Sequence, residues 1–278
     1  MKIIAEIGWN HLGDIGVAKK MIDAADESGA DYCKFQTWSV KNLKKGSWDN
    51  DGRREIYNKA ELTYENHIEL KKYCEDKNIK FLTSIFNIHD VNFLKKISPE
   101  IIKIGSPEIY NIDLIKECLT NFNQVVLSTG AAKWDEIKRL KNLENLNKLI
   151  LLHCVSSYPC KPENVNMPRM LELKKIVQTV GYSGHYPGID DAMLAICSGA
   201  QFVEKHFTID KNLPGRDNKF SILPSDLKAL VKFKENHEKM KEFNGLDLQE
   251  CEKDIYHNVR GRWTVSYTHL RAHETIAD

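Results

Sequence analysis

Polar and charged side chains recur where short apolar runs end, and their types suit the handling of a small anion beside a divalent cation. His185 and His206 close two successive runs. Two imidazoles on neighbouring segments can hold one cation and leave its other positions open, which is what Lewis-acid catalysis needs. Two satisfied core histidines would look the same, and His153, deeper in its run, fits a structural role at least as well. Lys34 and Lys103, with the hydroxyls of Ser84, Ser106, Ser128 and Ser156, offer charges and donors for a phosphate and a carboxylate. Ser128 and Thr129 can equally cap the helices that follow them.

The habit extends along the chain. Glu6 leads to Asn10 and His11, Lys34 to Gln36, Thr83 to Ser84, and Lys103 to Ser106 and Glu108. Later runs end in Ser128-Thr129, His153 with Ser156 and Ser157, Ser183-Gly184-His185 and Glu204-Lys205-His206. Any one Lys or Glu inside an apolar run can be half of a buried ion pair. Eight runs with the same habit imply charges aimed into one place, where a ligand or metal offsets them.

The elements that must position these residues alternate. β-rich runs span 3–8, 32–37, 80–86, 101–106, 125–130, 149–155, 180–184 and 202–207, and helical patterns span 15–28, 64–77, 90–97, 114–119, 134–142, 167–176 and 190–198. A last helix starts at Pro224-Ser225-Asp226 and stops before Asn244-Gly245. This order is that of parallel βαβ units. Short, evenly spaced strands favour an α/β fold closed as a (β/α)8 TIM barrel, with an open doubly wound sheet as the alternative. A dinucleotide-binding reading loses its main support because Gly8-Trp9-Asn10-His11-Leu12-Gly13 lacks the G-x-G-x-x-G spacing. The polar stretch 38–62 reads as a loop over the active face.

Bulk properties exclude several classes. The 278 residues suit one barrel or two smaller domains, and the 42% apolar content allows a sizeable core. Lys+Arg 40 against Asp+Glu 39 gives a net charge of +1, so nothing points to a nucleic acid or an anionic membrane as partner. Seven scattered cysteines read as reduced thiols. With no apolar run of about 18 residues and an acid at position 6, the expectation is a cytoplasmic protein without a signal peptide.

Glu6-Ile7-Gly8-Trp9-Asn10-His11, Lys34-Phe35-Gln36-Thr37, Lys103-Ile104-Gly105-Ser106, Leu127-Ser128-Thr129-Gly130, Leu152-His153-Cys154 and Glu204-Lys205-His206-Phe207-Thr208 stand in one order. Together they resemble the sialic acid synthase family, that is, N-acetylneuraminate synthases and their legionaminate and pseudaminate relatives. The resemblance runs from Lys2 to about Phe243. It implies a barrel that joins phosphoenolpyruvate to an N-acylmannosamine-type sugar, with Mn2+ or Mg2+ on His185 and His206. It also implies catalytic roles for Glu6, Lys34 and Lys103. Asn10, Gln36, Ser84, Ser106, Glu108, Ser128, Ser156, Tyr158, Ser183 and Asp217 would then bind substrate or support the site.

The chain departs from that family at Gly184, where Asp is commoner, and at Ser156, where the sialate branch often has Asn; the latter leans toward a related nonulosonate or an unassigned sugar. The expected organisation is a barrel over 1–245, the start of a linker over 246–263, and an unstructured tail over 264–278, either non-native or an ordinary disordered tail. The full-length family protein would be a homodimer with a small antifreeze-like domain. Two rival readings stand: a barrel that binds phosphoenolpyruvate and metal with little turnover, and a related 3-deoxy-sugar-acid synthase.

Overall fold

The computed structural model describes residues 1–98 and 100–263, with only the backbone of Trp48. The expected tail, 264–278, lies outside the described residues. Residues 1–237 form one compact unit. The second unit, within its described part, holds a 3-10 turn at Glu250–Glu252 and a π-helical turn at Ile255–Val259.

Eight parallel strands close on themselves in chain order: β1 (Lys2–Glu6), β2 (Tyr32–Thr37), β3 (Lys80–Ile85), β4 (Ile101–Ile104), β5 (Gln124–Ser128), β6 (Leu149–Cys154), β7 (Thr179–Gly184) and β8 (Phe202–His206). The fold is therefore the (β/α)8 barrel. Its helices are α1 (Ile15–Glu27), α2 (Arg53–Ala60), α3 (Tyr64–Asp76), α4 (Val91–Ile97), α5 (Ile112–Asn121), α6 (Trp134–Arg139), α7 (Pro168–Glu172), α8 (Asp190–Cys197) and α9 (Pro224–Met240). Among the described residues, no helix is long and apolar enough to cross a membrane.

Period-two alternation divides each strand between two cores. Outward residues such as Ile3, Phe35, Ile102, Leu127 and Val203 pack under the helices in one continuous cluster. Inward residues Ile4, Tyr32, Leu82, Ile101, Val126, Ile150, Leu152 and Phe202 fill the lower barrel as a separate cluster. One inward step further along, the apolar series gives way to Glu6, Lys34, Ser84, Lys103, Ser128, Cys154 and Glu204. The register sets Glu6 beside both Lys34 and His206. The apolar plug thus sits below and the polar tips above, so the chemistry collects at the C-terminal ends of the strands.

The same alternation corrects the expectation that every strand-end charge points into one place. Lys205 faces outward, where its ammonium meets both carboxylate oxygens of Asp191 at 2.9 Å and the Tyr186 carbonyl at 2.7 Å. Thr83 bonds Thr37 at 2.9 Å on the helix side, and His153 bonds the Val165 carbonyl at 2.7 Å.

The stretch 38–62, expected to be a loop, contains α2. Tyr57 of this helix packs edge-on against Trp9 and Trp38, with ring centroids 5.0 and 5.3 Å apart. Gly13 permits the approach: at φ +81 it lies so close that a Cβ would fall 2.1 Å from the Lys59 carbonyl. Across the barrel base, Asp31 ties β1 to α9 by bonding Lys2, Lys234 and the Ile3 N–H.

Candidate active site

A cavity of about 320 Å³ opens at the C-terminal ends of the strands. On its floor, Lys34 Nζ stands 2.7 Å from Glu6 Oε2, 3.6 Å from Glu204 Oε1 and 2.9 Å from Ser84 Oγ. Gln36 donates to the other Glu6 oxygen at 2.6 Å. Lys103 Nζ donates to Ser128 Oγ at 2.7 Å and to the Ile104 carbonyl at 3.0 Å. Neither Ser128 nor Thr129 caps a helix, because Thr129 donates to the Leu152 carbonyl.

These buried groups perturb one another. Burial pushes the Glu6 carboxyl up against the pull of Lys34. Burial acts the same way on Glu204, but Lys103, Lys34 and Ser183 outweigh it and hold that carboxylate below its ordinary value. Burial lowers the Lys34 ammonium, yet Glu204 and Glu6 prevail and raise it. Lys103 is lowered by burial, helped by its neighbour Lys34. Glu6 is thus suited to carry a proton at a pH where Glu204 is charged.

The His185 and His206 rings lie 5.2 Å apart, centroid to centroid. His185 Nδ1 is 2.8 Å from the Val155 carbonyl. A carbonyl only accepts, so Nδ1 carries a proton. Burial lowers the His185 imidazole, but Cys154, the Val155 carbonyl and Glu204 outweigh it and raise its pKa, so Nε2 presents a lone pair only once that ring has lost its second proton. Burial and the neighbouring His185 drive the His206 imidazole far below its ordinary pKa, which leaves it neutral. Its Nδ1 lies 3.3 Å from Asp217 Oδ2 without completing a hydrogen bond. Burial pushes the Asp217 carboxyl up to about 7. Among the described residues, no three His, Cys, Asp or Glu side chains form a metal cage. Two adjacent imidazoles, His206 held neutral and His185 oriented by a carbonyl, fit an open site in which a cation would displace the second His185 proton and be completed by water and substrate oxygens.

Most of the expected site residues meet here. Glu6, Lys34, Gln36, Ser84, Lys103 and Ser106 line the cavity, as do Ser128, Tyr158, Ser183, His185, His206 and Asp217. Tyr158 lays its ring against His185, with centroids 4.1 Å apart. Three residues stand elsewhere. Asn10 is buried in the turn after β1, donating to the Phe207 carbonyl and Ser221 Oγ. Glu108 accepts from the Asn111 side chain. Ser156 is exposed beside Gly130, outside the lining.

Other lining residues were not singled out as ligands from sequence: Glu204, Cys154, Trp9, Tyr57, Arg53 and Arg216. Glu204 carried a signal, since it shares its strand face with His206. Gly184, which departs from the resembling family, faces away from the imidazoles: a Cβ there would stand 2.3 Å from Asp191 Oδ2. The carboxylate of Asp191 fills the space that an aspartate at 184 would enter.

Comparison with known proteins places these features in a lineage. The model of the NeuB family matches residues 21–244. An N,N'-diacetyllegionaminic acid synthase from Campylobacter jejuni is 38% identical over 82% of this chain and 73% of its own. The N-acetylneuraminate-9-phosphate synthase of Homo sapiens is 34% identical over 83% of this chain and 68% of its own. The crystal structure of an N-acetylneuraminic acid synthetase from Leptospira borgpetersenii, in complex with citrate, superposes with a TM-score of 0.82 at 35% identity, covering 94% of this chain and 92% of that one.

Proposed function

The chain belongs to the NeuB family of sialic-acid-type synthases, and from that premise we propose that its barrel condenses phosphoenolpyruvate with an N-acylated amino sugar of the N-acetylmannosamine type, giving a nonulosonic acid and phosphate. The observation that carries this reading is the single cavity in which two ammonium groups, serine hydroxyls, two imidazoles and Glu6 converge.

Lys34 and Lys103, with Ser84, Ser106 and Ser128, would hold the phosphate and carboxylate of phosphoenolpyruvate as charges and donors. A divalent cation, Mn2+ or Mg2+, held by His185 and His206 would polarise the sugar aldehyde. C3 of phosphoenolpyruvate bonds to the aldehyde carbon, whose oxygen takes up a proton and becomes a hydroxyl. Water captures the cation left at C2, and phosphate departs by C–O cleavage. Glu6 is the proton carrier of these steps: burial favours its protonated form, while Gln36 and Lys34 fix both of its oxygens. Asp217 and Tyr158, beside the imidazoles, would meet the sugar.

The test is phosphate release from phosphoenolpyruvate with N-acetylmannosamine, or its 2,4-diacetamido relative, against a phosphorylated tetrose or pentose. Release with the amino sugars alone supports the proposal. Release with the phosphorylated sugars alone assigns a 3-deoxy-sugar-acid synthase, and binding without release assigns a non-catalytic barrel.

A further inference from the structure

Glu204 has no part in the steps above, yet it is buried in the floor of the same cavity. Its Oε1 accepts from Ser183 Oγ at 3.0 Å and lies 3.6 Å from Lys34 Nζ. Its Oε2 is buried with no hydrogen-bond partner among the described residues. The lysines and Ser183 hold the carboxylate charged, but they leave this oxygen without a donor, so ion pairing alone does not account for its placement.

Two carboxyl groups stand beside Lys34 and Lys103 on the floor: Glu6, whose protonated form burial favours, and Glu204, whose charge the lysines hold. A phosphate-carboxylate ligand carrying up to about three negative charges gains least from such a floor when Glu204 is charged. Glu204 and His206 are two residues apart on β8 and share its inner face, a rise of about 6.6 Å. A divalent cation held by the imidazoles would therefore be near enough to offset part of the Glu204 charge.

We propose that Glu204 makes binding of the phosphate-carboxylate substrate conditional on the divalent cation, by fixing in the anion pocket a negative charge that a cation at His185 and His206 offsets. The inference rests on the proposed reaction for the identity of that substrate. Its physical signature is a pair of opposite shifts. Removing the charge strengthens anion binding without metal and weakens metal binding without anion. The factor by which each ligand tightens the other is the same in both directions and changes little, because it reflects their direct attraction.

The experiment measures phosphoenolpyruvate binding by tryptophan fluorescence, since Trp9 lines the cavity, and Mn2+ binding by loss of the free-ion electron paramagnetic signal. In Glu204→Gln, the metal-free Kd for phosphoenolpyruvate is expected to fall roughly fivefold or more, and the Kd for Mn2+ alone to rise by a similar factor. Glu204→Asp keeps the charge and should keep metal-free binding as weak as in the wild type. If Glu204→Gln does not fold, Glu204→Ala with Ser183→Ala makes the same charge change and removes the donor left unpaired. Loss of both affinities together would assign Glu204 as a strut for Lys34 and overturn the inference, as would two unchanged affinities. A wild-type chain that binds Mn2+ but no phosphoenolpyruvate, even with metal, overturns the proposed reaction and this inference with it.

Discussion

Glu6 Oε2 and Lys34 Nζ meet at 2.7 Å with almost no solvent on either side chain, at the point where β1 and β2 turn inward together. Lys34 also reaches Glu204 and Ser84, so removing the Glu6 charge does not strand it. Glu6→Gln should therefore fold and bind Mn2+ like the wild type while kcat falls by about 10²–10⁴, as for loss of a proton-transfer group. Single-turnover phosphate release measures this. A loss smaller than about tenfold would leave Glu6 as an ion-pair partner only.

The imidazole pair predicts a separation of stability from metal binding. His185→Ala and His206→Ala each remove one of two nitrogens from an open site. Each should abolish Mn2+ binding by titration calorimetry and metal-dependent turnover, with the thermal unfolding midpoint kept within a few degrees. Metal-dependent turnover that survives both substitutions would place the cation elsewhere.

His11 predicts an acid-sensitive window. Burial lowers its pKa from 6.5 to about 4, against the pull of the Gly8 carbonyl. The folded state therefore binds its proton less readily than the unfolded chain. The associated stability is complete above about pH 6.5, declines as pH falls, and is lost by about pH 4. The difference of 2.5 units corresponds to about 3 kcal/mol. Urea unfolding at several pH values should show this slope in the wild type and a shallower one in His11→Gln. Equal slopes would show that other groups carry the acid response.

Gly184 predicts a substitution that fails for a structural reason. An aspartate there would press its Cβ to 2.3 Å from Asp191 Oδ2, beside the Lys205 ammonium that Asp191 already neutralises. Gly184→Asp should cost about 3 kcal/mol or more in chemical denaturation, from overpacking and like-charge repulsion. Adding Asp191→Gly removes the nearer clash and the like charge but leaves Tyr182 Cε1 at 2.5 Å, so it should restore part of that loss. A double variant no more stable than the single one would refute the shared-space account.

The barrel was legible because each strand is an apolar run whose inner residues turn polar at one end, and eight repeats of that pattern admit few architectures. α2 was not legible: Arg53-Arg54-Glu55-Ile56-Tyr57-Asn58-Lys59-Ala60 has no continuous apolar stripe and is held by Tyr57 against two tryptophans distant in sequence. Strand-end charges were over-read as converging because Glu204 and Lys205 are adjacent letters, whereas the pleat sends them to opposite faces. Asn10 stands in the right word and Glu108 just past one, but both engage partners inside the protein. Hydrogen-bond partners of that kind leave no mark in residue type.

The aromatic cover of Trp9, Trp38 and Tyr57 comes from two short stretches after β1 and β2, whereas the ionic floor is assembled from strands all around the ring. Variation confined to those two stretches can reshape what is admitted without disturbing how it is transformed. A barrel built this way can change what borders its cavity by exchanging those two segments, with the ionic floor inherited intact.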